Sequence, residues 1–146
     1  MTKRYSIVCA SYLILIKDNK ILLLRRFNTG FQDGNYSVPA GHVDEGESVS
    51  NAVVREAQEE LGINIDKQDM TLAHVMHRKA TDQSDERLDF FFTAQKFEGE
   101  IKNVEPNKCD DLSWFDIDAL PNNIIPYIKQ AIENVVNHKP YSELNW

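Results

Sequence analysis

Cysteine is scarce. Cys9 and Cys109 are the only two in 146 residues, far apart and in no metal-ligand spacing, which excludes a disulfide-stapled scaffold or a zinc module. Cys9 lies in an apolar run and reads as a small core residue. Glycine and proline number only 6 and 5, too few for a fibrous or low-complexity chain, and there are no internal repeats or linkers. Long apolar runs are also missing. The start, MTKRYSIVCASYLILIK, places basic residues before an apolar stretch. That stretch is interrupted by Ser6, Ser11 and Tyr12, lacks a small-residue cleavage site, and is too short to span a bilayer. A cytoplasmic protein without a membrane partner is therefore expected. Positive charge is the last shortage: 16 Lys and Arg against 23 Asp and Glu leave a net charge of −7. An acidic chain is not drawn to a nucleic-acid polymer or an anionic membrane, although a metal could neutralise the phosphates of a nucleotide locally.

What is present suits a soluble globular protein, with 42% hydrophobic and 27% charged residues, and a single domain over residues 1–146 is expected. Apolar runs at 5–17 and 20–27 predict a β-hairpin turning at Asp18-Asn19, its strands buried on both faces. Tyr36–Val38 predicts a short strand. Ser48 is a suitable N-cap for a helix ending at Leu61, with Val53, Val54, Ala57 and Leu61 on its apolar side. Residues 71–80 and 87–97 predict a second antiparallel pair. His74 and His77 fall on opposite faces of a strand, which argues against a shared ion, and Phe90-Phe91-Phe92 reads as core. After an irregular stretch from 98, a short strand at 112–115 and a helix over about 122–138 are expected. The helix can hold Pro126 only in its first turn. Ile124, Ile125, Ile128, Ile132, Val135 and Val136 form its apolar face, and the tail PYSELNW receives no assignment. The class is α/β (α+β): a mixed, largely antiparallel sheet with two helices packed on it.

One helix breaks the rules that stability alone would follow. Glu56, Glu59 and Glu60 fall within an arc of about 100°. Glu56 and Glu60 form a like-charge i,i+4 pair that costs a few tenths of a kcal/mol. Glu59 and Glu60 also occupy the last turn, where the helix dipole disfavours negative charge. A local rule broken without local gain marks a candidate functional site, and a hard divalent cation is the simplest compensation. Ahead of the helix, Gly41 and Gly46 are expected to give the acidic loop backbone freedom and to let a carbonyl near Ala40 turn toward that cation. Arg25 and Arg26 close the second strand, either as solvated charge or with one of them reaching a phosphate.

Residues 41–63, GHVDEGESVSNAVVREAQEELGI, resemble the signature of the Nudix hydrolases at all nine specified positions: Gly41, Glu47, Arg55, Glu56, Ala57, Glu59, Glu60, Gly62 and Ile63. Average residue usage makes a chance match rarer than about one in a million. The resemblance extends to the VPAGHV entry, to Trp114-Phe115 and to Leu120-Pro121. It implies an α/β/α sandwich around a mixed sheet, and hydrolysis of a pyrophosphate bond in a nucleoside diphosphate linked to another group, with Mg²⁺ or Mn²⁺. By the same resemblance Glu56, Glu59, Glu60 and the carbonyl of Ala40 are metal ligands, while Glu47 and Arg55 form an orienting ion pair. Glu59 or Glu56 would be the general base, with Glu105 as runner-up, and Arg26 would contact substrate phosphates. The stretch Asn103–Cys109 resembles small members acting on nucleoside triphosphates. A (d)NTP or modified (d)NTP giving a monophosphate and pyrophosphate is therefore the leading expectation. The alternatives are a nucleotide sugar, a dinucleoside polyphosphate, or a non-catalytic nucleotide-sensing domain. A capped RNA end is disfavoured by the lack of a basic patch. A homodimer is the assembly the resemblance suggests.

Overall fold

The computed structural model describes residues 2–146. The expected N-terminal hairpin splits between two sheets. Strand β1 (Val8–Ile14) lies in a five-stranded mixed sheet. After Leu15 the chain continues as β2 (Ile16–Lys17), which turns at Asp18-Asn19, both at positive φ, into β3 (Lys20–Arg26) of a four-stranded sheet. Alternation explains the split. Ala10, Tyr12 and Ile14 point into one core cluster, while Leu13 and Leu15 point into the other. A strand buried on both faces needs a layer on each side.

In the five-stranded sheet the order is β5 (Ala40–His42), β1, β7 (Arg87–Ala94), β6 (Met70–Arg78) and β9 (Tyr141–Leu144). β6 pairs antiparallel with β7, as the sequence predicts, and β1 runs parallel to β7, a pairing the sequence did not indicate. In the second sheet β8 (Cys109–Asp116) pairs with the whole of β3, while β2 and β4 (Tyr36–Ser37) take its other edge. β8 is thus longer than the expected 112–115.

Helix α1 (Val49–Leu61) has the expected ends. Ser48 Oγ accepts from Asn51 N at 3.1 Å, and Gly62, at φ 71°, returns its N–H to the last-turn carbonyls. Ala52, Val53, Ala57 and Leu61 are its buried residues; Val54, expected among them, stays half-buried. Helix α2 (Pro126–Val136) begins four residues later than expected, with Pro126 at its first position. Residues 123–125 are held extended against β4: Tyr36 N donates to Asn123 O at 2.9 Å, and Ile125 N to Tyr36 O at 3.0 Å. A residue preceding proline is also disfavoured from helical geometry. α2 covers one face of the five-stranded sheet and α1 the other, and Val136 is exposed rather than part of the α2 core face.

The tail contributes β9, parallel to β6, in place of an unassigned end. His74 locks it: the buried ring contacts Lys139 O at 2.6 Å and Ser142 Oγ at 2.7 Å. His77 instead meets Glu86 at 2.7 Å. Phe91 and Phe92 are core, Phe90 is half-buried, and Cys9 is only half-buried rather than core. Among the described residues no helix is long and apolar enough to cross a membrane.

Candidate active site

A cavity of about 570 Å³ opens where the last turns of α1 meet β5, β3 and the loop before β8. Charges of both signs line it: Glu56, Glu59, Glu60 and Glu105 with Arg26, Arg78, Arg87 and Lys108, the last lying 3.9 Å from Glu105.

Arg55 organises the acidic part. Its Nε and Nη2 donate to both oxygens of Glu47, at 2.8 and 3.0 Å. Nη1 donates to Glu56 at 2.6 Å and to Glu59 at 3.3 Å, and Nη2 also reaches His42 O at 3.1 Å. This bidentate contact joins the loop of residues 43–47 to the helix and fixes the orientation of two further carboxylates. It holds the Glu47 carboxyl below its ordinary value and raises the guanidinium above its own. Glu56 goes the other way. Burial raises its pKa despite Arg55, and the charges of Glu59 and Glu105 add to the rise. Glu60 is pushed well above the carboxylate range by burial, then by Glu56 and Glu105; only a 3.0 Å hydrogen bond from Ala40 N and the more distant Arg26 oppose this.

Glu105 reaches the cluster through the end of α1. The helix leaves its last carbonyls without intrahelical partners, and the following loop satisfies two of them: Val104 N donates to Glu60 O at 3.2 Å and Lys102 N to Leu61 O at 3.0 Å. The same anchoring carries Asn103, which donates to Cys109 O at 2.7 Å. Gly41 acts differently from expectation. Its φ is not in the left-handed region, unlike that of Gly46 at 77°. It is required for space, because a Cβ there would overlap the Glu56 carboxylate. Ala40 and Gly41 both line the cavity.

The arginine pair divides its duties. Arg25 turns to Asp110 at 2.7 Å. Arg26 faces the cavity, where Nε donates to Phe31 O at 2.6 Å and Nη2 to Thr29 Oγ1 at 3.0 Å. Among the lining residues that sequence reasoning missed are His42, Arg87, Arg78, Tyr127, Phe31 and Lys108. Arg87 donates to His42 Nε2 at 2.8 Å, and His42 has a lowered pKa from burial and then from that arginine. Only the placing of charged residues within apolar strands hinted at Arg78 and Asp89.

Among the described residues, no three His, Cys, Asp or Glu side chains converge into a ready-made ion site; Glu56 and Glu59 are drawn to Arg55 instead. The donor chemistry nevertheless fits a hard divalent cation. The candidate ligands are oxygen donors, and two of them carry pKa values raised by burial and then by neighbouring carboxylates.

Comparison with known proteins places these features in context. A family model of the NUDIX domain matches residues 8–135. The chain is 37% identical over 108 residues to an ADP-ribose pyrophosphatase of Methanocaldococcus jannaschii, covering 74% of this chain and 61% of that protein. It is 33% identical to an NAD-capped RNA hydrolase NudC of Chromobacterium violaceum, covering 84% and 43%. The chain thus spans less than two thirds of the length of these relatives. Among solved structures, a MutT NUDIX hydrolase from Burkholderia pseudomallei superimposes with a TM-score of 0.82 at 30% identity, covering 90% of this chain and 99% of that one.

Proposed function

The chain belongs to the Nudix hydrolase family, whose members generally depend on a divalent metal ion, and from that premise we propose that it hydrolyses a pyrophosphate bond in a nucleotide. The substrate is a (d)NTP or modified (d)NTP, the products are a nucleoside monophosphate and pyrophosphate, and the ion is Mg²⁺ or Mn²⁺. The observation that carries this reading is the Arg55-ordered face of α1, where Glu56, Glu59 and Glu60 meet Ala40 and Gly41 at the cavity wall.

Glu56, Glu59, Glu60 and the Ala40 carbonyl would hold the ion. When bound it supplies charge neutralisation for the phosphates and a more acidic water. The remaining work falls to the chain. Arg55 holds Glu47, Glu56 and Glu59 in register. Glu59 or Glu56 accepts the proton of the attacking water, with Glu105 the next carboxylate on the same wall. Arg26, which lines the same cavity, supplies donors for the phosphate charge.

A second reading, hydrolysis of a nucleoside diphosphate sugar, is favoured by the relative named as an ADP-ribose pyrophosphatase. A panel of nucleoside triphosphates, nucleotide sugars and dinucleoside polyphosphates, tested with Mg²⁺ and Mn²⁺ and read for phosphate against pyrophosphate, separates the two. Pyrophosphate release from triphosphates supports the first. Release of a sugar phosphate supports the second. Turnover persisting in excess chelator refutes the metal-dependent account altogether.

A further inference from the structure

Away from the carboxylates, the cavity wall holds a polar group that the hydrolysis does not use. Arg78 is 8% exposed and Asp89 is fully buried, and they pair in the sheet core. Asp89 accepts from Arg78 Nε and, at 3.4 Å, from one Nη; its Oδ1 also accepts from Tyr12 OH at 3.0 Å. Tyr12 OH lies 3.1 Å from Tyr127 OH, and the Arg78 guanidinium lies 3.7 Å from the centre of the Tyr127 ring. Asp89 is Arg78's only hydrogen-bond partner among the described residues, so one Nη is left over. The only fully enclosed side-chain N or O without a partner there is Ser11 Oγ, so the spare Nη is accessible at the cavity that Arg78 lines.

Arg78, Tyr127 and Phe31 also line a second cavity of about 250 Å³, and so mark the junction between the two. Phe31 carries Arg26 over its own ring at 5.5 Å. The junction therefore combines two arginine-backed aromatic rings with one spare N–H donor group. Arg26 borders it on the Phe31 side, whereas Arg78, on the Tyr127 side, is paired with Asp89. An arginine neutralised by a buried aspartate suits an uncharged acceptor better than a phosphate.

We propose that this junction receives the nucleobase of the substrate, and that Arg78 makes the site prefer a keto base over an amino base; the inference rests on the nucleotide-hydrolase reading for the kind of ligand. Phe31 offers a stacking face. The spare Nη donates to a ring-edge carbonyl, whereas an exocyclic amino group in that place would set donor against donor. Asp89 has no part in the choice, because it is fully buried and does not line the cavity. Arg78 is thus a specificity-determining residue and takes no part in bond cleavage.

The test uses matched nucleosides and needs neither metal nor turnover: inosine against adenosine, and uridine against cytidine, titrated into the isotope-labelled full chain by NMR. In the wild type the keto member of each pair should bind about tenfold tighter, with shifts at Arg78 and Tyr127. Arg78→Lys should bring each pair within about twofold. Phe31→Ala, at a half-exposed loop position, should weaken all four about equally and keep the ratio. Equal binding within each pair, tighter binding of the amino members, no binding at all, or a ratio unchanged in a folded Arg78→Lys protein would overturn the proposal. Should Arg78→Lys fail to fold, the wild-type ratio and Phe31→Ala still decide it. Pyrophosphate release in the substrate panel is independent of this ratio, so failure here and failure of the hydrolase reading can be told apart.

Discussion

Two groups of charged side chains, one lining the cavity and one reaching it through Arg78 alone, resolve their burial in opposite ways. Arg78 and Asp89 neutralise each other, and Tyr12 and Tyr127 complete the network. The α1 face gathers Glu56, Glu59, Glu60 and Glu105; among the described residues Arg55 is the one cation in direct contact with Glu56 and Glu59, and Glu60 has a single backbone donor and a strongly raised pKa. A buried ion pair compensated within the chain can belong to the fold. A like-charge cluster left short of positive charge calls for a ligand, because the chain gains nothing locally from keeping it.

The largest expected effect tests the uncompensated side. Glu59→Gln should lower turnover by orders of magnitude while far-UV circular dichroism and melting temperature stay near wild type; turnover within twofold would remove Glu59 from the chemistry. The compensated side should respond in stability instead. Asp89→Ala leaves Arg78 buried and unpaired, which costs about 3–5 kcal/mol, read as the urea unfolding free energy; a cost under about 1 kcal/mol would erase the contrast between the two groups. Gly41→Ala sharpens it. The added Cβ displaces the flexible end of Glu56, so activity should fall at least tenfold with little change in melting temperature, whereas a large loss of stability would mean the backbone moves instead.

The smallest effect carries a sign. Glu60 has a folded pKa raised above its unfolded value, so the folded state binds the proton more tightly and metal-free stability falls as pH rises from the unfolded value toward the folded one. Below the unfolded carboxylate pKa the difference vanishes. Glu60→Gln should therefore raise the melting temperature of the metal-free protein by a few degrees at pH 7, change it little at pH 3, and abolish activity. A lower melting temperature at pH 7 would mean that the carboxylate is satisfied within the chain.

Much of this was legible in the residues because it is local. The caps Ser48 and Gly62, the signature spacing and the carboxylate stripe all lie within one helix and its approach. Periodicity also identified the β6–β7 pair and the body of α2. Other expectations failed for lack of partners that sequence does not show. Pro126 and the β4 contact shortened α2. His74 and the β6 edge turned an unassigned tail into β9. The alternating burial of Ala10, Tyr12 and Ile14 against Leu13 and Leu15 placed β1 and β3 in different sheets.

By itself, then, the sequence determined the family, the ends of α1 and the set of acidic side chains on its face, since each depends on residues a few positions apart. Tertiary structure alone decided that Gly41 is small to make room for Glu56, and that the α1 carbonyls carry Glu105 to the carboxylates. It also decided that Arg78, from the end of one strand, meets Asp89 on the next beneath Tyr127. These are contacts across sheet and helix boundaries, and no spacing along the chain encodes them.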